Sequence, residues 1–209
     1  SVLNGKDLIL SDEEYNSISD LVHRKAGINL ADRKKELVRA RLVKRIISGE
    51  FANFGDYYRC VLQDESGEEL VHLLDAISTN LTFFFREPRH FEFLAQIILP
   101  ELTRKKSKQG HRSLRIWSAA CSTGEEPYSI AITIMDHSDY FTKPNLKILA
   151  TDLSTRALEV SRRGIYSEES VKDIPLITLK KYFKKGQGPQ KGRYMIKDFL
   201  RQIIVFKRL

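Results

Sequence analysis

The residues best suited to chemistry in this sequence fall in three short segments. The first runs Ile116-Trp117-Ser118-Ala119-Ala120-Cys121-Ser122-Thr123-Gly124-Glu125-Glu126-Pro127-Tyr128-Ser129. It reads as a strand that passes through small residues into a helix, a turn tight enough for a nucleotide-like ligand to approach the main chain. Its single glycine and lack of lysine set it apart from a phosphate-binding P-loop. Glu125 and Glu126 at the helix start would repel a phosphate and attract a cationic ammonium or sulfonium. The plainer reading is two acids favouring a helix N-terminus. The second segment closes a second strand on Asp152, where Rossmann-type folds carry the acid that binds ribose hydroxyls; its plainer reading is a helix cap before Ser154 and Thr155. The third is Thr79-Asn80-Leu81-Thr82-Phe83-Phe84-Phe85-Arg86-Glu87-Pro88. Polar Asn80, Thr82 and Arg86 surround three phenylalanines assigned chiefly to packing. Arg86 is either a functional cation or half of an ordinary salt bridge.

The elements that must position these groups follow from composition and periodicity. The chain has 209 residues, 42% of them hydrophobic, enough to bury a core and to form two small domains. Its formal charge of +8 argues against acidic tails and calcium-type carboxylate cages. Cys60 and Cys121 have neither CxxC spacing nor a histidine cluster around them, so no disulfide scaffold, structural zinc or other metal site is expected. No apolar run approaches the roughly 20 residues that span a bilayer, and no signal peptide opens the sequence. A soluble, cytoplasmic protein is expected.

Ser11-Asp12-Glu13-Glu14 is a capping box, and an apolar stripe from Tyr15 through Ile18, Leu21 and Val22 predicts a helix ending at Gly27. A second helix is predicted from about Asp32 to Ile47, with Val38, Leu42, Val43, Ile46 and Ile47 on one face and Lys34, Arg41, Lys44 and Arg45 on the other. Arg39 points into the apolar sector and needs an acidic partner inside the domain. Helices near 55–63 and 67–78 complete a small all-α domain over 1–78, with 79–88 as a linker. Beyond it, Phe91, Leu94, Ile97 and Ile98 mark another helix, followed by a basic stretch from Arg104 to Arg112 that reads as a solvated connection. Strand 114–119, helix 125–136, strand 146–151 and helix 154–163 make a βαβα unit, hence a parallel sheet. The turn Gly186 to Gly192, with the short runs 194–196 and 203–206 after it, predicts a small antiparallel flap within about 176–209.

Together these segments resemble the chemotaxis receptor methyltransferases (CheR-type), which move a methyl group from S-adenosylmethionine to receptor glutamates. The resemblance covers nearly the whole chain in order: Ala26-Gly27-Ile28 and the basic second helix, the Thr79 to Pro88 segment, the Ser118 to Ser129 loop, Ala150-Thr151-Asp152 with Arg163-Gly164-Ile165-Tyr166, and the Gly186 to Gly192 turn. It implies an α/β fold, with a Rossmann-like methyltransferase domain over 89–209 that is incomplete here, an N-terminal all-α domain and a small β flap. It also implies that Asn80, Thr82 and Arg86 border the methionine end of the cofactor, that Glu125 or Glu126 meets its amino group, and that Asp152 takes the ribose hydroxyls. By the same resemblance Lys34, Arg41, Lys44 and Arg45 face the receptor's methylation helices, and Gly188 and Pro189 on the flap touch a receptor C-terminal peptide in members that use one. From charge alone, those four basic residues read as a solvated helix surface. A family member would continue past Leu209 into further strands, so a fragment is expected.

Transfer to a glutamate, already ionised at neutral pH, needs no strong general base. Catalysis would then come from aligning and desolvating the carboxylate, consistent with five histidines that lack nucleophile spacing. Arg86 could orient the incoming carboxylate or bind that of the cofactor, whose product is S-adenosylhomocysteine. A monomer without nucleic-acid partner or membrane insertion is expected. The competing reading is a basic module that docks on an acidic protein or nucleic acid without catalysis.

Overall fold

Ser11 starts the first helix as its neighbours require: its hydroxyl accepts from Glu14 N at 3.1 Å, and the Glu14 carboxylate accepts from Ser11 N at 2.9 Å. The structure is a computed structural model and describes residues 8–30, 34–78, 81–110, 113–141 and 145–209. It divides into two compact units, Ser1–Thr79 and Asn80–Leu209.

The first unit is all helical: α1 (Asp12–Ala26), α2 (Lys35–Ser48), α3 (Phe54–Gln63) and α4 (Glu68–Ile77). Ile18, Val22, Leu42, Ile46, Phe54, Tyr57 and Leu73 form its core. Asp32, expected to open α2, lies outside the described residues. Among the described residues, Arg39 meets its acid on its own helix and not inside the domain as expected: its Nε donates to the exposed Glu36 at 3.0 Å, and a guanidinium nitrogen donates to the Leu8 carbonyl at 3.2 Å. The basic side of α2 is less free than its charge suggests. Arg41 donates to the carbonyls of Ile77 and Ser78, and Arg45 forms a two-pronged pair with Glu69 of α4, its Nε 3.1 Å from Oε2. Lys34 and Lys44 remain exposed. The Arg45–Glu69 pair is mostly shielded from solvent, so removing one partner strands the other charge. Arg45→Ala is expected to destabilise this unit by about 2 kcal/mol in urea unfolding, and Glu69→Gln in the same background to recover part of that loss.

In the second unit, α5 (Pro88–Phe93), a π-helical turn (Leu94–Ile98) and α6 (Leu99–Lys108) follow without interruption. The wide turn, in which Leu99 N reaches Leu94 O, comes immediately before Pro100, whose missing N–H and ring an unbroken α-helix would not accept. The basic stretch from Arg104 is therefore helical as far as Lys108, where a solvated connection was expected.

The parallel sheet comprises β1 (Leu114–Ala119), β2 (Leu146–Asp152) and β6 (Ile204–Arg208), in the order β1-β2-β6. α7 (Glu125–His137) links β1 to β2, and α8 (Thr155–Arg163) follows β2. Ile148 and Ile204 are buried on one face, whereas the cross-strand row Trp117, Leu149 and Val205 on the other is 62%, 39% and 46% exposed. The run 203–206, expected in the flap, instead supplies this third parallel strand. The antiparallel flap is built from β3 (Ile165–Ser167), β5 (Arg193–Ile196) and β4 (Phe183–Lys185), in the order β3-β5-β4. Short helices α9 (Glu168–Val171) and α10 (Leu176–Tyr182) precede β4, and α11 (Asp198–Arg201) separates β5 from β6. Gly186 is required at the hairpin, since a Cβ there would lie 2.1 Å from the Gln190 carbonyl oxygen. Among the described residues, no helix is long and apolar enough to cross a membrane.

Candidate active site at the carboxyl ends of β1 and β2

The loop that leads from β1 to Glu125 and Glu126, and that is tied to Asp152, holds an unusual backbone. After β1 the chain passes through three positive φ angles in five residues: Ala120 at 58°, Ser122 at 48° and Gly124 at 96°. Left-handed alanine and serine each cost about 1–3 kcal/mol and need support from their surroundings. Cys121 N donates to Thr151 O at 2.9 Å, and Ser122 N donates to Asp152 Oδ2 at 2.7 Å. The other oxygen of Asp152 accepts from Ser154 N at 2.8 Å. Asp152, 7% exposed, thus ties the loop after β1 to the loop after β2, and its carboxylate is oriented by two main-chain amides with a lone pair left on each oxygen. Capping of α8 belongs to Ser154, whose hydroxyl accepts from Ala157 N at 3.1 Å. Gly124 begins α7 in close contact with α8, where a Cβ would lie 2.7 Å from the Ser161 Cβ.

Glu125 and Glu126 diverge at the first turn of α7. Glu125 is 6% exposed; its carboxylate accepts from the Thr123 hydroxyl at 2.6 Å, and burial pushes its pKa above the ordinary value. Glu126 is exposed, and its carboxylate accepts at 2.7 Å from the hydroxyl of Ser118 near the end of β1. Of the two, only Glu126 presents its charge to solvent at the carboxyl end of the sheet. Cys121 is buried and its thiol is pushed up to about 12, chiefly by desolvation, which makes it a packing residue and not a nucleophile.

Residues 83–87 form a turn that runs into a bend, laid against α7. Phe85 N donates to Ser129 Oγ at 3.0 Å, and Ser129 Oγ donates to Glu125 O at 2.7 Å. Phe84 packs edge-on against Tyr166 and Phe183 of the flap, with centroids 4.9 and 5.5 Å apart. Phe85 meets Phe91 in the same manner. Phe83 departs from the packing expected of it: it is half exposed, with the Arg86 guanidinium 6.0 Å from its centroid. Arg86 is exposed and donates to Leu81 O at 3.0 Å. Thr82 is half-buried in the irregular stretch before the turn, and Asn80 lies outside the described residues. Gly188 and Pro189 occupy an exposed turn of 3-10 helix (Gly188–Gln190) at the β4–β5 hairpin tip.

Four residues that build this site have no role of their own in the sequence pattern: Ser118, Thr123, Ser129 and Tyr166, the last donating to Thr123 O at 2.8 Å. Ser129 had a signal, since it lies one helical turn from Glu125 on a face otherwise apolar. Tyr166 had none, because its partner is a main-chain carbonyl 43 positions away.

A parallel α/β sheet with acids gathered at the carboxyl ends of its first two strands, and a close main-chain turn that is not a phosphate loop, defines a nucleotide-type ligand site suited to a cationic ligand. Comparison with known proteins sharpens that class. Residues 80–209 match the CheR methyltransferase SAM-binding domain, and residues 13–78 match the CheR methyltransferase all-alpha domain. The chain belongs to the CheR methyltransferase family. It is 38% identical over 208 residues to chemotaxis protein methyltransferase 2 of Pseudomonas aeruginosa, an alignment spanning all of this chain and 71% of that protein. It is 37% identical to the chemotaxis protein methyltransferase of Borreliella burgdorferi, over 96% of this chain and 70% of the relative. With the Escherichia coli chemotaxis protein methyltransferase it shares 39% identity, over 97% and 67%. The chain is therefore an S-adenosylmethionine-dependent methyltransferase, and the reading as a non-catalytic basic module gives way.

Proposed function

We propose that this protein transfers the methyl group of S-adenosylmethionine to glutamate side chains of chemoreceptors. The observation that carries the site assignment is the bond from Phe85 N to Ser129 Oγ, which fastens the Arg86 turn one helical turn from Glu125 and Glu126. The methionine part of the donor carries an ammonium and a carboxylate on one carbon, so the groups that bind them must be neighbours. Glu126 meets the ammonium and Arg86 the carboxylate, which favours the cofactor over the incoming glutamate as the partner of Arg86. Asp152, its oxygens aimed by Ser122 N and Ser154 N, takes the ribose hydroxyls, and Asn80 and Thr82 border the methionine end. The donor set fits this ligand: carboxylates face its cations and hydroxyl donors, a cation faces its carboxylate, and the lining would repel a phosphate.

S-adenosylmethionine supplies an electrophilic methyl on a sulfonium, which leaves with its bonding electrons on sulfur while a carboxylate oxygen forms the new bond. The residues of this chain bind, orient and exclude water, and no proton has to move. The surface chemistry supports a protein substrate. From Leu176 through Lys197 stand seven Lys or Arg, Lys197 included, and no Asp or Glu, so the flap around Gly188 and Pro189 suits an acidic receptor tail peptide. Exposed Lys34 and Lys44 are the members of the α2 face that meet acidic methylation helices; Arg41 and Arg45 act there through their bonds to α4. The free thiols of Cys60 and Cys121 support a cytoplasmic setting.

Two measurements test this reading. Calorimetric titration of the chain with S-adenosylhomocysteine should give saturable binding, weakened by at least about 10-fold in Arg86→Ala. Incubation with methyl-labelled donor and a receptor cytoplasmic fragment should place label in a form released as methanol by alkali, the signature of a carboxyl methyl ester. Unchanged affinity in Arg86→Ala would move that residue from the cofactor to the substrate, and label resistant to alkali would exclude glutamate as the acceptor.

A further inference from the structure

We propose that Ser129 is a positioning residue, setting Arg86 at its place along α7; the inference rests on the methyl-donor reading and deepens it. Ser129 is fully buried. A buried serine inside a helix commonly donates to the carbonyl four residues back, and Ser129 does so to Glu125 O at 2.7 Å. That bond explains the donor half of the hydroxyl only. Its acceptor half is committed to the amide of Phe85, 44 positions away, at 3.0 Å.

The turn captured in this way would not hold its shape alone. Phe85 and Glu87, on either side of Arg86, have φ of 55° and 59°, left-handed angles that non-glycine residues keep only under external constraint. The bond inside the turn, Arg86 N to Phe83 O, is long at 3.4 Å. Phe84 is gripped by the flap rings Tyr166 and Phe183, and Glu87 leads directly into α5, where His90 N donates to Glu87 O at 2.9 Å. These contacts fix the two ends of the turn. The Phe85–Ser129 bond is the polar contact that fixes its middle against the helix bearing Glu125 and Glu126. The hydroxyl therefore acts on the ligand through Arg86, without touching it.

Ser129→Ala suits the test, since alanine favours the helix and deletes only the hydroxyl. Hydrogen exchange on the folded chain should show the Phe85 amide at least about 10-fold less protected, with the amides of α7 unchanged. Affinity for S-adenosylhomocysteine should fall by about 10-fold, and that loss should vanish when Ser129→Ala is made in an Arg86→Ala background. A purely structural serine would lower affinity equally in both backgrounds, and losses that multiply would overturn the proposal. So would full protection of Phe85 in Ser129→Ala. If the unsubstituted chain fails to bind S-adenosylhomocysteine, the donor reading fails while the exchange measurement still decides whether Ser129 holds the turn.

Discussion

Asp152→Ala is expected to lower affinity for S-adenosylhomocysteine by at least about 100-fold and, independently of ligand, to lower the melting temperature of the second unit by roughly 10 °C. Both effects have one source. The carboxylate accepts from Ser122 N and Ser154 N at 2.7 and 2.8 Å while almost wholly buried. Hydrogen bonds to a charged acceptor contribute about 1.5–3 kcal/mol each, so losing both costs about 3 kcal/mol after partial relaxation. For a unit of this size that corresponds to the stated shift. The strained backbone at Ala120 and Ser122 then loses one of its two main supports. Binding must be measured at a temperature where circular dichroism shows the variant folded. Asp152→Asn separates the two effects: its amide oxygen retains one acceptor, so it should lose about half the stability while binding remains severely weakened. A folded Asp152→Ala chain that binds as tightly as the unsubstituted one would remove Asp152 from the ribose site and leave it a purely structural tie.

This double duty marks the limit of what the sequence could tell. A cap before Ser154 or a ligand acid were the two readings of Asp152 open to a linear pattern, and the structure assigns the cap to Ser154 itself. The βαβα pattern predicts the parallel sheet, but the tie from Asp152 to the Ser122 amide, 30 positions away, depends on how the two loops meet, which no local rule encodes. Local physics did specify the elements well. The capping box at Ser11, the strands at Leu114 and Leu146 and the helix from Glu125 all carry strong short-range signals, and they lie within a residue or two of expectation. The failures are tertiary. Ile203 to Phe206 is a short apolar run, and nothing within it distinguishes a flap strand from a partner for β2. Arg41 and Arg45 have the spacing of a solvent-facing stripe, but α4 passes close enough to take both. Family resemblance proposes more site residues than their types alone could, whereas the reason why the Arg86 turn stands where it does lies in packing.

Glu125 and Glu126, adjacent in sequence and identical in type, are expected to behave oppositely when neutralised. Glu126→Gln should weaken S-adenosylhomocysteine binding by about 10–100-fold, the worth of a charged hydrogen bond to an ammonium. Its carbonyl can still accept from Ser118, so stability should scarcely change. Glu125→Gln should change binding by no more than about 3-fold and should stabilise the chain at neutral pH. The sign follows from burial. The folded pKa of Glu125 is raised above its ordinary value, so the ionised carboxylate carries a cost at pH above the folded pKa. That cost is lifted as pH falls through the folded pKa and is gone below the unfolded one, and stability from this group therefore rises toward acid. The amide removes the cost at all pH while keeping an acceptor for the Thr123 hydroxyl. Thermal melts between pH 4 and pH 8 should show the gain of Glu125→Gln over the parent at neutral pH shrinking as acid protonates Glu125 in the parent. Calorimetry on the same two variants reads the ligand contact. Loss of binding in Glu125→Gln with Glu126→Gln unaffected would hand the ammonium to the buried glutamate and require the first turn of α7 to open before the donor could enter.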